Sequence, residues 1–119
     1  FPYLSDKMGF ALRSADLAVA RAGASCLGEF PAFGLPALLV PYPHAWHYQR
    51  SNAEVLSECG AAVWIEDREL QHLLGPTVDE LLRDRATLAA MSRKTTALAV
   101  PKASDRVAAE IIAMAAGAG

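Results

Sequence analysis

A chain of 119 residues has room for one hydrophobic core and not for two. Hydrophobic residues make up 53% and charged residues 20%, a balance that excludes a disordered segment. The formal net charge of -2 excludes the clustered Lys/Arg excess that a phosphate-backbone surface needs, so no nucleic-acid partner is expected.

Taken in chain order, Phe1, Pro2, Tyr3 and Leu4 open directly on apolar and aromatic residues, as in a chain cut at or inside a strand, and the 1–119 domain is expected to be a fragment. Ser5 as N-cap, followed by apolar Met8, Ala11, Leu12 and Ala15, predicts a short helix. The run DLAVA (16–20) predicts a buried strand. From Ser25, the spacing of Leu27, Phe30 and Phe33 predicts a helix of two to three turns closed by Gly34. PALLVPYP (36–43) is a continuous apolar run bounded by prolines, which predicts a strand covered on both faces. A helix over 49–59 stopped by Gly60, a strand over 61–66, and helices over 69–75, 78–83 and 88–98 follow, with Pro101 opening the last helix. Strand, helix, strand, helix, strand with short joints predicts an α/β fold, a parallel sheet with flanking crossover helices. Ligands of such sheets bind beyond the carboxyl ends of the strands, where residues 21–29 and 42–52 both emerge.

In RAGAS (21–25), the small residues Ala22, Gly23 and Ala24 let backbone N–H groups approach a ligand, and the helix beginning at Ser25 turns its positive end to the same place. That predicts an anion site. The second and third glycines of a dinucleotide fingerprint are absent, so a phosphate group is expected and a nicotinamide cofactor is not. The same residues also suit a plain tight turn at Gly23 and a plain cap at Ser25. Glu29 lies four residues beyond Ser25 on one helical face, where a carboxylate can accept two hydrogen bonds from a vicinal diol such as a ribose; a solvent-facing Glu fits the pattern equally. Arg21 at a strand end is suited to a diphosphate, and equally to a neighbouring Glu or to exposed carbonyls. In the second loop, His44, His47, Gln49 and Asn52 gather beside Trp46 and Tyr48, a set suited to sugar hydroxyls and stacking. No metal is expected there, because the histidines lack HExxH spacing and no carboxylate completes a ligand set. His72 reads as a surface residue. Cys26 and Cys59 have no CxxC or Cys/His spacing and read as buried thiols of a reducing compartment. No run reaches the ~20 apolar residues of a membrane span and no signal peptide is recognisable, so a soluble, cytoplasmic chain is expected.

The combination of RAGAS and Glu29 with Gln49, Asn52 and Ala53 as Q-x-x-N-A, then GAAVWIED (60–67) and PKASDRVAAEI (101–111), closely resembles the C-terminal, UDP-GlcNAc-binding domain of the MurG peptidoglycan N-acetylglucosaminyltransferase family. The resemblance extends from about Tyr3 to the final helix. It implies a Rossmann-like, partial C-terminal domain of a GT-B glycosyltransferase, an inverting enzyme that transfers N-acetylglucosamine from UDP-GlcNAc to lipid I to form lipid II, with no cofactor. Carried over residue by residue, it implies that Glu29 bonds the ribose, that Gly23, Ala24 and Ser25 face the diphosphate, and that Gln49 and, more loosely, Asn52 reach the sugar. Tyr3 and Leu4 match the pair that lies near the uracil, with one extra residue before Met8. Tyr48 stands where the family has His or Gln, and Cys26 where Thr is frequent. The catalytic base and the lipid I site are expected on an absent N-terminal domain, and the full-length protein at the inner face of the cell membrane. The alternatives are another GT-B transferase using a UDP- or dTDP-sugar, and a non-catalytic nucleotide-sugar-binding subunit with a membrane partner.

Overall fold

The residues from Pro36 to Val40 offer no polar side chain to solvent, and the fold buries every one of them. In the computed structural model, which describes residues 1–118, they form the middle of a three-stranded parallel sheet. The strands are β1 (Ala18–Ala20), β2 (Ala37–Leu39) and β3 (Ala62–Trp64), in the order β1-β2-β3. Val19 aligns with Leu38, and Leu38 with Val63. Parallel neighbours require crossovers: α2 (Cys26–Phe33) links β1 to β2 and α3 (Tyr48–Glu58) links β2 to β3.

Because strand side chains alternate, β2 feeds two cores. Ala37 and Leu39 join Cys26 and Phe30 of α2 and Ala53 and Leu56 of α3 on one face. Leu38, with Val40 and Ile65, meets Leu70, Leu74 and Val78 of α4 (Leu70–Arg83) on the other. These three lie four residues apart, on one stripe of the helix. Val19 shares this second face by register but is 49% exposed at the edge strand. The helix α1 (Met8–Ser14) contributes Leu12 to the first core, while α5 (Arg85–Ala97) packs on α2 and α4, burying Leu88, Met91 and Thr95. All described residues of α6 (Ala103–Gly117) are exposed.

Several boundaries differ from the sequence expectation. The two helices expected over 69–75 and 78–83 are one helix running through Pro76. An interior proline removes one hydrogen bond and crowds the carbonyl four residues back, at a cost of about 3 kcal/mol. Here Gly75 and Pro76 are exposed, and burial of Leu74, Val78 and Leu81 on the opposite side holds the helix together across them. Ser5 does not cap: a 3-10 turn, Ser5–Lys7, precedes α1, and the Ser5 hydroxyl donates to Asp6 instead. Pro101 lies in a turn, and α6 begins two residues later, after Lys102 in a left-handed conformation (φ 55°). Gly34 and Gly60 do end their helices as expected, with φ 59° and 73°.

Candidate functional site

Both crossover loops open at the carboxyl end of the sheet, which brings residues 21–25 beside residues 42–52. A cleft of about 420 Å3 forms between them, walled by Gly23, Ala24, Ala45, Trp46, Tyr48, Gln49 and Asn52. A larger hollow of about 820 Å3 runs along Gly75, Pro76, Asp79 and Arg83 on α4, but it touches no residue of either strand-exit loop.

The first wall is the turn into α2. The N–H groups of Cys26, Leu27 and Gly28 donate to the carbonyls of Gly23, Ala24 and Ser25 at 3.1 Å each, winding the chain into the helix. The N–H groups of Gly23, Ala24 and Ser25 themselves find no acceptor among the described residues. They are donors without partners at a helix N-terminus, an arrangement that attracts anions. Ser25 occupies the N-cap position, but its hydroxyl makes no capping bond, so plain capping does not account for it. Gly23 has no positive φ, and a Cβ placed there would meet nothing within 4 Å. A tight turn therefore does not account for the glycine either. Glu29 sits one turn further along α2 with its side chain exposed and unpaired among the described residues. Beneath this turn Cys26 is buried, and that burial pushes its thiol above the ordinary range; a backbone hydrogen bond opposes the shift and the Glu29 charge adds to it.

The second wall is the entry to α3. Trp46 and His47 both adopt positive φ, 48° and 67°, an unfavourable conformation for residues with a side chain. It leaves Trp46 86% exposed at the cleft rim. Gln49 and Asn52 share one face of α3. The Gln49 Oε1 accepts from the Tyr42 N–H at 2.9 Å, and the Asn52 Nδ2 donates to the Ala22 carbonyl at 2.9 Å.

Arg21 is committed to the sheet end. Its guanidinium donates to the Val40 carbonyl at 3.3 Å, pairs with Asp67 and lies 5.5 Å from the centroid of the Tyr42 ring. The exits of all three strands are thereby joined through one side chain. Arg50 makes a parallel tie, pairing with Glu66 over the Trp64 ring. Sequence reasoning found Arg21 but missed Asp67, Glu66 and Arg50, whose partners lie 16 to 46 residues away, beyond any local pattern. Tyr3, 91% exposed, and half-buried Leu4 precede α1 and do not wall the cleft; nor do Arg21, Ser25 and Glu29.

Residues 1–107 match the glycosyltransferase family 28 C-terminal domain. A UDP-N-acetylglucosamine--N-acetylmuramyl-(pentapeptide) pyrophosphoryl-undecaprenol N-acetylglucosamine transferase of Desulforudis audaxviator is 49% identical over 111 residues, covering 91% of this chain and 29% of the relative. The protein of the same description from Serratia proteamaculans is 44% identical over 112 residues, covering 92% and 31%. Among solved structures, that of Acinetobacter baumannii MurG superposes with a TM-score of 0.76 at 32% identity, covering 84% of this chain and 29% of that one. The chain thus spans under a third of the length of these relatives.

Proposed function

Since the chain belongs to the glycosyltransferase family 28 C-terminal domain family, we propose that it is the donor-binding domain of an inverting GT-B N-acetylglucosaminyltransferase, one that transfers N-acetylglucosamine from UDP-GlcNAc to lipid I to form lipid II in peptidoglycan synthesis. The observation that carries this reading is the turn at residues 23–25. Three backbone donors there lack partners at the start of a helix, and the first of them belongs to Gly23, whose lack of a side chain serves nothing in the fold itself. A diphosphate needs close backbone approach, which a Cβ would obstruct.

In this reading the diphosphate lies over residues 23–25, the ribose diol against Glu29, and the uracil toward Tyr3 and Leu4. The sugar faces Gln49, whose Oε1 is taken by Tyr42 and whose Nε2 is left to donate. Arg21 supplies positive charge from the edge while it remains paired with Asp67. The acceptor hydroxyl attacks the anomeric carbon; the new C–O bond forms as the bond to the phosphate oxygen breaks, with inversion, and the proton passes to a base that we assign to sequence outside this chain. Negative charge grows on the leaving UDP, and the fixed N–H groups and the α2 dipole stabilise it without reorganising. No helix among the described residues is long and apolar enough to cross a membrane. We place the domain on the cytoplasmic side, reaching lipid I at the membrane surface through the acceptor-binding half.

Titration of the chain with uridine, UDP, UDP-GlcNAc, UDP-glucose and dTDP-glucose tests this. UDP is expected to bind at least about fivefold more tightly than uridine, from a helix-terminus contribution of ~1 kcal/mol or more. Gly23→Ala is expected to remove that difference while leaving the melting temperature in place. Equal binding of UDP and uridine would reduce the turn to a structural element, and a preference for another donor would reassign the substrate. Transfer to a lipid I analogue is expected to be absent with these 119 residues alone; robust turnover would overturn the assignment of the base elsewhere.

A further inference from the structure

A turn that leaves its N–H groups unpaired for a ligand cannot hold itself rigid with those groups, so something else must fix it. Ala22, immediately before the turn, is 0% exposed, and its carbonyl receives the Asn52 Nδ2 at 2.9 Å. No other hydrogen bond to that carbonyl is formed among the described residues. A carbonyl can only accept, so the Asn52 amide is oriented with its nitrogen toward Ala22 and its oxygen free. The donor reaches across 30 residues of sequence, from the first turns of α3 to the exit of β1, where the neighbouring crossover begins. Three residues earlier on the same helix, Gln49 accepts from the Tyr42 N–H. One face of α3 therefore grips both strand exits.

From this geometry we infer that Asn52 is a positioning residue for the diphosphate-binding turn. It fixes the peptide that carries the Gly23 N–H, and it does not act as a ligand of the sugar. The inference rests on the donor-binding reading above and deepens it by separating two roles within one cleft. Asn52 also walls that cleft, which makes direct sugar contact the rival account.

The two accounts differ in which ligand is affected. Wild type, Asn52→Ala, Asn52→Ser and Asn52→Asp are titrated with uridine, UDP and UDP-GlcNAc by ligand-observed NMR, with thermal melting as the check of folding. If Asn52 positions the turn, Asn52→Ala leaves uridine affinity unchanged and weakens UDP and UDP-GlcNAc by the same factor, about three- to tenfold, as for a single hydrogen bond. Asn52→Ser, which keeps a donor on a shorter stem, loses less. Asn52→Asp, which cannot donate when ionised and adds negative charge beside the phosphates, loses more. Weakening confined to UDP-GlcNAc, with UDP untouched, would make Asn52 a sugar ligand and overturn the inference. Should Asn52→Ala fail to fold, the Ser and Asp variants carry the same comparison. If wild type itself fails to distinguish UDP from uridine, the donor reading falls and this inference with it; if wild type distinguishes them and no Asn52 variant narrows the gap, the inference alone falls.

Discussion

Glu29→Ala separates ligand binding from fold more cleanly than other substitutions at the site. The side chain is exposed and has no ion-pair or hydrogen-bond partner among the described residues, so truncation leaves no buried group unsatisfied. Its backbone N–H, bonded to the Ser25 carbonyl at 2.8 Å, is unaffected. What the fold loses is an acidic group in the first turn of α2, worth ~0.3–1 kcal/mol through the helix dipole. For a domain of about this size that shifts melting by at most roughly 8 °C. What the ligand loses is a charge-assisted contact to the ribose diol, ~1.5–3 kcal/mol, or roughly tenfold to a hundredfold in affinity. Calorimetric titration with UDP-GlcNAc reads the second quantity and a thermal melt the first. A 2′,3′-dideoxy-UDP ligand is the matched control, since it lacks the hydroxyls that Glu29 would hold. It is expected to bind wild type weakly and to be nearly indifferent to the substitution. Equal weakening of both ligands, or a melting shift well beyond that range, would show Glu29 acting through the fold and would refute the ribose assignment.

Two helix-ending glycines should differ in their tolerance of alanine. At Gly34 (φ 59°) a Cβ would lie 2.5 Å from the hydroxyl oxygen of β-branched Thr96, so Gly34→Ala is expected to cost about 2–4 kcal/mol in chemical denaturation. At Gly60 (φ 73°) the obstruction is the flexible end of Lys94, so Gly60→Ala is expected to cost only the left-handed backbone term, about 1–2 kcal/mol. Asp84 caps α5, and its bonds to the Thr87 hydroxyl and N–H hold its carboxyl below the usual range. A depressed carboxyl contributes stability that is present above its unfolded pKa and lost as pH falls through the folded one. The melting-temperature gap between wild type and Asp84→Ala is therefore expected at neutral pH and to close in acid below about pH 4. Cys26 is buried as expected, but Cys59, at the C-terminal end of α3, is exposed rather than buried, so a thiol reagent at neutral pH is expected to modify Cys59 quickly and Cys26 only on unfolding; equal rates would contradict the burial of Cys26.

The layered α/β arrangement was legible because its signals are local. A short, wholly apolar β2 between prolines is typical of a strand covered on both faces, and Gly34 and Gly60 stand where the chain turns left-handed to leave a helix. The continuous α4 was not legible. Gly75 followed by Pro76 reads locally as a break, and only the sheet beneath Leu70, Leu74 and Val78 overrides it. The entry to α3 was equally hidden, since nothing in the pair Trp46 and His47 announces two consecutive left-handed residues. Their cost, ~1–3 kcal/mol each, is of the kind that persists where surrounding structure imposes it at a binding site.

The site divides in the same way, for a reason that follows from its chemistry. The groups that we propose face the ligand, residues 23–25 and Glu29, sit in one short stretch, because a helix N-terminus presents successive N–H groups and a carboxylate one turn on. A sequence displays such a stretch directly. The groups that hold this stretch still are scattered by necessity. Donors reserved for a ligand cannot also brace their own turn, so rigidity has to arrive from other elements: from Asn52 on α3 to the Ala22 carbonyl, and from Asp67 beyond β3 to Arg21, which also bonds the carbonyl of Val40. Each is a polar tie between chain segments that meet only when the parallel sheet has formed. Residue type alone therefore suggested a sugar contact for Asn52, whose partner in the fold is a neighbouring turn, and left Arg21 open between a diphosphate and an acid or carbonyl, of which the fold supplies the acid and the carbonyl. Anchored polar side chains at a strand exit are in this way part of what makes the unanchored N–H groups beside them useful.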